Sequence, residues 1–343
     1  MPERARSLRV ALAGAGMISR HHLLAWRALG RRVELVGVCD PDLGRARARA
    51  EEFGIPAVFA DPAAMLDEAR PDALDVASPR ETHAAWVEAA AGRGIDVMCQ
   101  KPLTPTLAEA EALVRRVAGR CRLMVHENWR FRPWYRRLRA WIDEGALGEL
   151  LSFELATVSS GLLPDATGHR PALVRQPFMT HEPRLMLAEV LIHHLDTARF
   201  LCGPLRVVAA RAARTLPEVA GETLATVFLE TVSGAPVVVG GTMAAPGHPA
   251  RTRDRLGIVG SRASVALDGE TLRLLGSTPR EERFEPDRSY QESFDATVRH
   301  FVDALASGGA FETDAADNLE TLRLVEHAYW ASGRHPESQG GRP

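Results

Sequence analysis

Cysteine is scarce in this chain, with four among 343 residues. No two of them form a Cys-x-x-Cys pair, and none lies among histidines at the spacing of a metal site. The sequence therefore argues against a disulfide framework and predicts no metal site. Cys39 and Cys99 end apolar runs, where a free cysteine behaves as a small hydrophobic side chain. This usage fits a reducing compartment, and we expect a cytoplasmic protein.

An excess of charge and long hydrophobic runs are absent as well. The formal net charge is -2, so the chain lacks the basic surplus that a nucleic acid or an anionic membrane surface attracts. No apolar run approaches the roughly 20 residues of a membrane span, and the first residues lack the apolar core of a signal peptide. We therefore expect neither a nucleic-acid nor a membrane partner.

What is present is an ordinary globular composition, with 45% hydrophobic and 25% charged residues. Strand-like and helical runs alternate up to residue 127, which predicts an α/β domain with a parallel sheet. In residues 128–333 most strand-like runs follow one another, which predicts an α+β domain with a large, mostly antiparallel sheet. Residues 159–185 are predicted to form a functional loop, and residues 334–343 a flexible tail.

A glycine-rich turn follows the first predicted strand. The segment 14–19 reads GAGMIS, which has the form G-x-G-x-x-S between a strand and a helix. Gly14 suits the tight turn, and Gly16 lets the backbone approach a pyrophosphate held by the helix N-terminus. Gly14, Gly16, Met17 and Ile18 are therefore predicted to bind a dinucleotide. The structural alternative is a glycine turn with no ligand.

Asp40 ends the second predicted strand, VELVGVCD. A carboxylate there can accept hydrogen bonds from both ribose hydroxyls of an adenosine, although it can also be a turn residue before Pro41. A carboxylate repels a 2′-phosphate, which predicts NAD rather than NADP. Arg45 would offset this repulsion if it turned toward the ribose, so NADP remains open. These features predict a Rossmann domain over residues 1–127.

The fifth predicted strand ends in Gln100-Lys101-Pro102. Ligands bind at the carboxyl ends of the strands in parallel sheets of this kind. Lys101, followed by a proline that stiffens the turn, is predicted to direct its ammonium at the cofactor crevice. An exposed surface lysine is the structural alternative.

The chain resembles the Gfo/Idh/MocA family of oxidoreductases, which includes glucose–fructose oxidoreductase and inositol dehydrogenases. The resemblance rests on GAGMIS, SPRETHAAWVEAAAGRGIDVMCQKPLT, HENWRFRPWY and EVLIHHLDTARFLCG, with support from DNLETLRLVEHAYWAS. It is greatest to the branch that contains apiose-type sugar dehydrogenases. The family's usual Glu-Lys-Pro reads Gln-Lys-Pro here, so the lysine is kept and the neighbouring negative charge is lost.

The resemblance implies further site residues. In the family an Asp, and a His four residues later, complete the site, and these positions hold Glu189 and His193. Residues i and i+4 share one helix face, so both can reach one pocket, although the acid is a methylene longer than usual. Lys101, Glu189 and His193 are the predicted catalytic residues, and they are predicted to bind substrate together with Arg130. For Arg130 an ion pair is an equal alternative.

The remaining predicted cofactor contacts also follow from the resemblance. They are Ser78, Pro79, His83, Gln100 and Asn128, in addition to Lys101. Asn128 is expected on the nicotinamide side, whereas His83 can instead serve only to pack a helix N-terminus.

The predicted function is reversible hydride transfer between NAD and a carbinol carbon of a sugar or polyol. One alternative is a family member that cleaves glycosides by transient oxidation and elimination on a tightly held NAD. Another is a non-catalytic dinucleotide-binding regulator, which has no need of an acid–base set. His193 is the predicted base, with Lys101 stabilising the alkoxide, and the reverse assignment to Lys101 stays open. The resemblance also implies an open sheet face, so a homodimer or homotetramer is expected.

Overall fold

The computed structural model describes residues 6–335, which fall into two compact units. The first unit extends to Phe131 and includes the later segment Tyr290–Glu320, whereas the second comprises Arg132–Ser289 and the chain from Thr321 onward. The sequence placed all of residues 128–333 in a second domain, and the contacts instead assign the segment Tyr290–Glu320 to the first unit. Residues 336–343 of the predicted tail lie outside the described residues.

The first unit contains a parallel sheet. Its strands are β1 (Leu8–Ala13), β2 (Val33–Cys39), β3 (Val58–Phe59), β4 (Ala73–Val76), β5 (Asp96–Gln100) and β6 (Leu123–His126). The helices between them are α1 (Ser19–Ala28), α2 (Leu43–Phe53), α3 (Pro62–Ala69), α4 (His83–Ala91) and α5 (Leu107–Val117). The strand order is β3-β2-β1-β4-β5-β6, which is the order of a Rossmann fold, and the prediction of this fold is confirmed.

Local signals in the sequence account for these helices. The side chain of Asp42 accepts hydrogen bonds from the amides of Gly44 and Arg45 at the start of α2, and Gly54 ends that helix in a left-handed conformation. A reciprocal capping box between Thr106 and Glu109, which has the sequence form T-x-x-E, begins α5.

The second unit contains a sheet in the order β14-β13-β12-β11-β7-β10-β9-β8. Its strands are β7 (Leu150–Val158), β8 (Leu205–Ala213), β9 (Leu224–Thr231), β10 (Pro236–Thr242), β11 (Arg253–Gly260), β12 (Ser264–Asp268), β13 (Thr271–Leu275) and β14 (Arg280–Arg283). Among these described strands the β7–β10 pair is parallel and the other pairs are antiparallel, which confirms the predicted α+β architecture.

Helices accompany this sheet and follow it in the chain. They are α6 (Pro133–Asp143), α7 (Pro171–Arg175), α8 (Ile192–Cys202), α9 (Pro286–Ser307) and α10 (Ala315–Ala331). Helix α8 is preceded directly by a π-helical turn over Met186–Leu191. Helix α6 and strands β13 and β14 were not predicted. No helix within residues 6–335 is long and apolar enough to cross a membrane.

The segment Tyr290–Glu320 belongs to the first unit because its aromatic side chains complete that unit's core. Phe294, Phe301 and Phe311 are buried with Val10 and Met124 of the parallel sheet. The Phe301 and Phe311 rings stack with their centroids 5.1 Å apart. A segment distant in sequence thus supplies apolar surface that the first 131 residues need.

Arg130 ties this segment to the end of β6. Its guanidinium lies 2.8 Å from the carboxylate of Asp317 and donates to the carbonyl oxygen of Glu312 at 3.0 Å. Arg130 is 4% exposed. The structure therefore places Arg130 in a buried ion pair, which is the alternative to its predicted contact with substrate.

We expect Arg130→Met to lower the free energy of unfolding by about 2 kcal/mol, because it removes charged hydrogen bonds while keeping the apolar stem. Urea titration followed by tryptophan fluorescence measures the change. Arg6→Met, which breaks an ion pair whose side chains are 70% and 37% exposed, serves as the control and should cost little. Equal losses in the two variants would contradict a structural role for the Arg130 pair.

Candidate active site

The glycine-rich turn after β1 is held by a close contact with the end of β4. Gly14 has a φ of +95°, and its amide donates to the carbonyl oxygen of Cys39 at 2.8 Å. A Cβ at this position would lie 2.6 Å from the carbonyl oxygen of Ala77. Position 14 therefore requires glycine for both its backbone conformation and its packing.

Gly16 faces open space, unlike Gly14. A Cβ built on Gly16 meets no protein atom within 4 Å. The turn behind it is fixed, because the Ser19 hydroxyl donates to the carbonyl oxygen of Gly16 at 2.6 Å and Arg49 donates to the same oxygen at 3.3 Å. Met17 is exposed on the turn, and Ile18 packs against the core. This is a backbone cradle at a helix N-terminus, and it fits a dinucleotide pyrophosphate.

Asp40 has a second role that the sequence did not predict. One carboxylate oxygen accepts from the amide of Ala15 at 2.7 Å, and the other accepts from the amide of Asp42 at 2.9 Å. Asp40 therefore connects the glycine-rich turn to the loop after β2. Each carboxylate oxygen has a further lone pair, so acceptance from a ribose hydroxyl remains compatible with these bonds. Arg45 lies 3.2 Å from the Asp42 carboxylate.

His83 joins the ends of β4 and β5. Its ring nitrogens lie 2.9 Å from the carbonyl oxygens of Pro102 and Ser78, and the residue is 1% exposed. Burial lowers the pKa of His83 below its ordinary value, despite these carbonyl partners. The carbonyl oxygen of Pro79 accepts from the Thr82 hydroxyl at 2.7 Å. His83 therefore positions the two loops, while Ser78 and Pro79 form the loop that it holds.

Lys101 stands at the carboxyl end of β5, next to Gln100. The Lys101 amide donates to the side-chain oxygen of Gln100 at 2.7 Å, and the Lys101–Pro102 peptide bond is cis. Lys101 is also the only lysine among the 42 Lys and Arg residues of the chain. This compositional signal singles out Lys101 more sharply than its position alone.

A buried polar cluster behind Gln100 was missed from the sequence. The Gln100 side-chain nitrogen lies 3.1 Å from Nε2 of His22, whose Nδ1 lies 3.0 Å from both oxygens of Asp75. Trp26 also donates to Asp75, at 2.6 Å. A charged residue within the apolar strand β4 is the signal that could have pointed to this cluster.

Asn128 lies within the core of the first unit. Its amide nitrogen donates to the Ser293 hydroxyl at 2.7 Å, and the residue is 3% exposed. This donor ties the end of β6 to α9. The contact of Asn128 with nicotinamide stays a prediction, and the structure adds this bond to Ser293.

In the second unit, Glu189 and His193 lie on consecutive turns where the π-helical turn passes into α8. Both are half-buried. The turn is anchored by Glu222, which accepts from the amide of Leu187 at 3.0 Å and from the Tyr329 hydroxyl at 2.5 Å. Burial raises the pKa of Tyr329 well above its ordinary value, and the neighbouring Glu222 carboxylate contributes in the same direction. π-Helical turns often occur at functional sites, and this one carries the predicted acid.

His194, next to His193, is buried within the second unit. Its Nε2 lies 2.9 Å from the carboxylate of Asp254, which also accepts from the Tyr135 hydroxyl at 2.8 Å. Asp196 accepts from the Thr321 hydroxyl at 2.9 Å and is fully buried. Both residues fix helix α8. Within the described part of the chain, no three His, Cys, Asp or Glu side chains form a cluster that could hold a metal ion.

The strand order, the open glycine-rich turn and Asp40 together are those of a dinucleotide-binding Rossmann domain. Residues 8–127 match the oxidoreductase family with an NAD-binding Rossmann fold, and residues 135–266 match the GFO/IDH/MocA C-terminal domain. The chain belongs to the Gfo/Idh/MocA family, as the sequence motifs predicted, and it is an NAD-binding enzyme.

Relatives of known activity match almost the whole chain. A D-apiose dehydrogenase of Paraburkholderia graminis is 34% identical, over 93% of this chain and 86% of that protein. An inositol 2-dehydrogenase of Saccharopolyspora erythraea is 31% identical, over 94% of this chain and 92% of that protein. An oxidoreductase from Agrobacterium radiobacter, crystallised with NAD+, L-tartaric acid and magnesium, is 30% identical with a TM-score of 0.87, over 95% and 96% of the two chains.

We expect Gly16→Val to weaken NADH binding by about 10–100-fold, since a side chain in the cradle must displace the pyrophosphate or the backbone. The variant should stay folded, because the added Cβ meets no protein atom. Fluorescence titration gives the dissociation constant for NADH, and circular dichroism gives the melting temperature.

Gly14→Ala is the matched control, because its Cβ would collide with the backbone at Ala77. Gly14→Ala should therefore lower the melting temperature more than Gly16→Val does. Wild-type NADH affinity in Gly16→Val would show that the turn serves only the fold.

Proposed function

We propose that this enzyme reversibly oxidises a carbinol carbon of a sugar or polyol with NAD. Two observations support the substrate class: a D-apiose dehydrogenase and an inositol 2-dehydrogenase are among the relatives that match over nine-tenths of the chain. The observation that carries the chemistry is Lys101, a single amine at the carboxyl end of β5, in a turn held by Gln100 and His83.

Oxidation of an alcohol removes a hydride from carbon and a proton from oxygen. Bound NAD supplies the acceptor for the hydride, so the protein has to supply the base. In our proposal His193 accepts the hydroxyl proton, because an imidazole titrates near neutrality. The ammonium of Lys101 stabilises the alkoxide as it forms, and Glu189 orients the imidazole or binds a neighbouring hydroxyl. The reverse assignment, with Lys101 as the base, uses the same residues.

The substrate is identified by screening aldoses, sugar phosphates and inositols with NAD and with NADP, with reduced nicotinamide as the readout. Polyols and aldoses that produce NADH support the proposal. Glycosides that are cleaved without net NADH would instead identify an enzyme that oxidises and eliminates.

We expect His193→Ala and Lys101→Ala each to reduce kcat by about 10²–10⁴-fold on the identified substrate, because each removes a positioned acid–base or electrostatic group. Both should still bind NADH, as measured by fluorescence titration. His194→Ala should reduce kcat much less and lower the melting temperature, because His194 is buried against Asp254. Turnover near the wild-type rate in His193→Ala would show that His193 is not the base and would favour Lys101 in that role.

The preference for NAD over NADP is also part of the proposal. It is supported by the Asp40 carboxylate at the end of β2 and by the ion pair that turns Arg45 toward Asp42. Asp40→Ala should lower kcat/KM for NAD and narrow the ratio between NAD and NADP, since it removes the charge that repels a 2′-phosphate. Steady-state kinetics with both cofactors measures the ratio.

Because Asp40 also holds the amide of Ala15, the Asp40→Ala variant should melt at a lower temperature. Asp40→Asn loses the charge and keeps an acceptor for the amide of Ala15, but its NH2 replaces the acceptor for the amide of Asp42. A change in cofactor preference that exceeds its loss of melting temperature would therefore report the charge. A wild-type enzyme that prefers NADP would contradict the proposed role of Asp40.

Association of copies stays a prediction of the same proposal. The side chains that support it are exposed apolar residues on the strands of the second unit, namely Val208, Phe228 and Val259. A second copy placed over this face would cover them, as expected for a homodimer or homotetramer.

A further inference from the structure

We propose that Asp75 and His22 act through Gln100 as a buried positioning relay for Lys101. In this relay each residue donates to the next: the Lys101 amide to Gln100, Gln100 to His22, and His22 to Asp75. The inference rests on the role proposed for Lys101, and none of the three relay residues is assigned contact with the reacting atoms.

The relay starts at Asp75 on β4. His22 on α1 and Asp75 are both fully buried, and Trp26 is 1% exposed. Trp26 can only donate, and it donates to Oδ2 of Asp75 at 2.6 Å. The same carboxylate lies 3.0 Å from Nδ1 of His22 through both oxygens. A carboxylate accepts only, so the proton of His22 resides on Nδ1.

The second step sets the orientation of the Gln100 amide. The Lys101 amide donates to Oε1 of Gln100 at 2.7 Å, so the NH2 group of Gln100 faces His22. Nε2 of His22, 3.1 Å away, accepts from it, because the ring proton is on Nδ1. The acceptor at Nε2 therefore keeps Oε1 of Gln100 directed at Lys101.

The rings around His22 hold it in this geometry. The His126 ring on β6 lies 4.2 Å from the His22 ring, and the Phe294 ring on α9 lies 5.4 Å away in a T-shaped arrangement. The residues that surround His22 therefore come from β4, β5, β6 and α9. Such enclosure allows one ring orientation, which a directional relay requires.

Reversal of the relay gives a sharp test. In Asp75→Asn the amide oxygen stays at the position of Oδ2, where it accepts from Trp26, and the NH2 replaces Oδ1 beside Nδ1 of His22. This NH2 can only donate, so it favours the tautomer of His22 whose proton is on Nε2. That proton faces the NH2 of Gln100, so the Gln100 amide turns and presents a donor to the Lys101 amide. We expect kcat to fall by about 10–100-fold, the range seen for outer-shell partners.

Gln100→Glu should repair the Asp75→Asn variant. The introduced carboxylate accepts from Nε2–H of His22 and from the Lys101 amide, so every group of the relay has a partner. The two bonds made by His22 are reversed, and the bond from the Lys101 amide keeps its direction. The double variant also keeps a single carboxylate in the cluster. We expect its kcat to exceed that of Asp75→Asn by about tenfold, which a double-mutant cycle measures.

A spectroscopic readout follows from composition and needs no substrate. Because Lys101 is the only lysine, protein labelled with 15N-lysine gives a single backbone amide cross-peak. This amide is the end of the relay. The cross-peak should shift in Asp75→Asn toward its position in Gln100→Ala, which lacks the acceptor. It should return toward the wild-type position in the double variant.

Trp26→Phe is the structural control in the same cluster. It removes the other donor to Asp75 and creates a cavity, so it should lower the melting temperature. It leaves the acceptor for His22 intact, so the Lys101 cross-peak should stay near its wild-type position. A Lys101 shift that follows stability across all variants would overturn the relay.

The wild-type protein provides a test that needs no variant to fold. The long-range 1H–15N spectrum of the histidine rings should show His22 as the Nδ1–H tautomer, and the Nε2–H tautomer would overturn the relay. A double variant whose Lys101 cross-peak is no nearer to wild type than that of Asp75→Asn would overturn it as well. Failure of the proposed function is separate, since it would show as full turnover in Lys101→Ala.

Discussion

The close approach of Gly14 to Ala77 is the contact on which the cofactor site depends. It brings the end of β1 against the end of β4. A Cβ at position 14 would lie only 2.6 Å from the carbonyl oxygen of Ala77, so this approach requires glycine. Gly16 then faces open space, and the amide of Ala15 meets the carboxylate of Asp40. The loops at this edge of the sheet are thus tied to one another by the Gly14–Ala77 contact and by the hydrogen bond from the Ala15 amide to Asp40. A rigid edge of this kind preorganises a binding site at little entropic cost.

Local chemistry made much of the first unit predictable. The alternation of strands and helices, the capping box at Thr106 and the glycine-rich turn are short-range signals, and the structure contains each of them. Helix α6 carries a comparable signal in the buried spacing of Trp134, Leu138 and Trp141, but its many arginines hid it. Strand β13 alternates buried Leu272 and Leu274 with less buried residues but is only five residues long, and β14 consists of four charged residues with no apolar alternation.

The partners of polar side chains were the least predictable part of the site. Asn128 donates to Ser293, and Arg130 pairs with Asp317, at separations of 165 and 187 residues. A sequence shows that these groups can donate, but it does not show which distant acceptor the fold brings near. The same holds for His22 and Asp75, which are 53 residues apart. The partners of Asn128 and Arg130 both lie in the segment Tyr290–Glu320. The sequence placed this segment in the second domain, whereas it packs in the first unit.

The difference between lysine and arginine bears on the chemistry proposed for the site, because the chain contains a single lysine. Among 42 Lys and Arg residues, the chain places its one lysine at the end of β5 and uses arginine everywhere else. Arginine remains charged and presents a planar fork, which suits ion pairs such as that of Arg130. Lysine is a compact donor that can release a proton, which suits a group beside a hydroxyl that is being oxidised. The role proposed for Lys101 therefore suits a lysine better than an arginine, and the proposed relay of Gln100, His22 and Asp75 ends on the backbone amide of that residue.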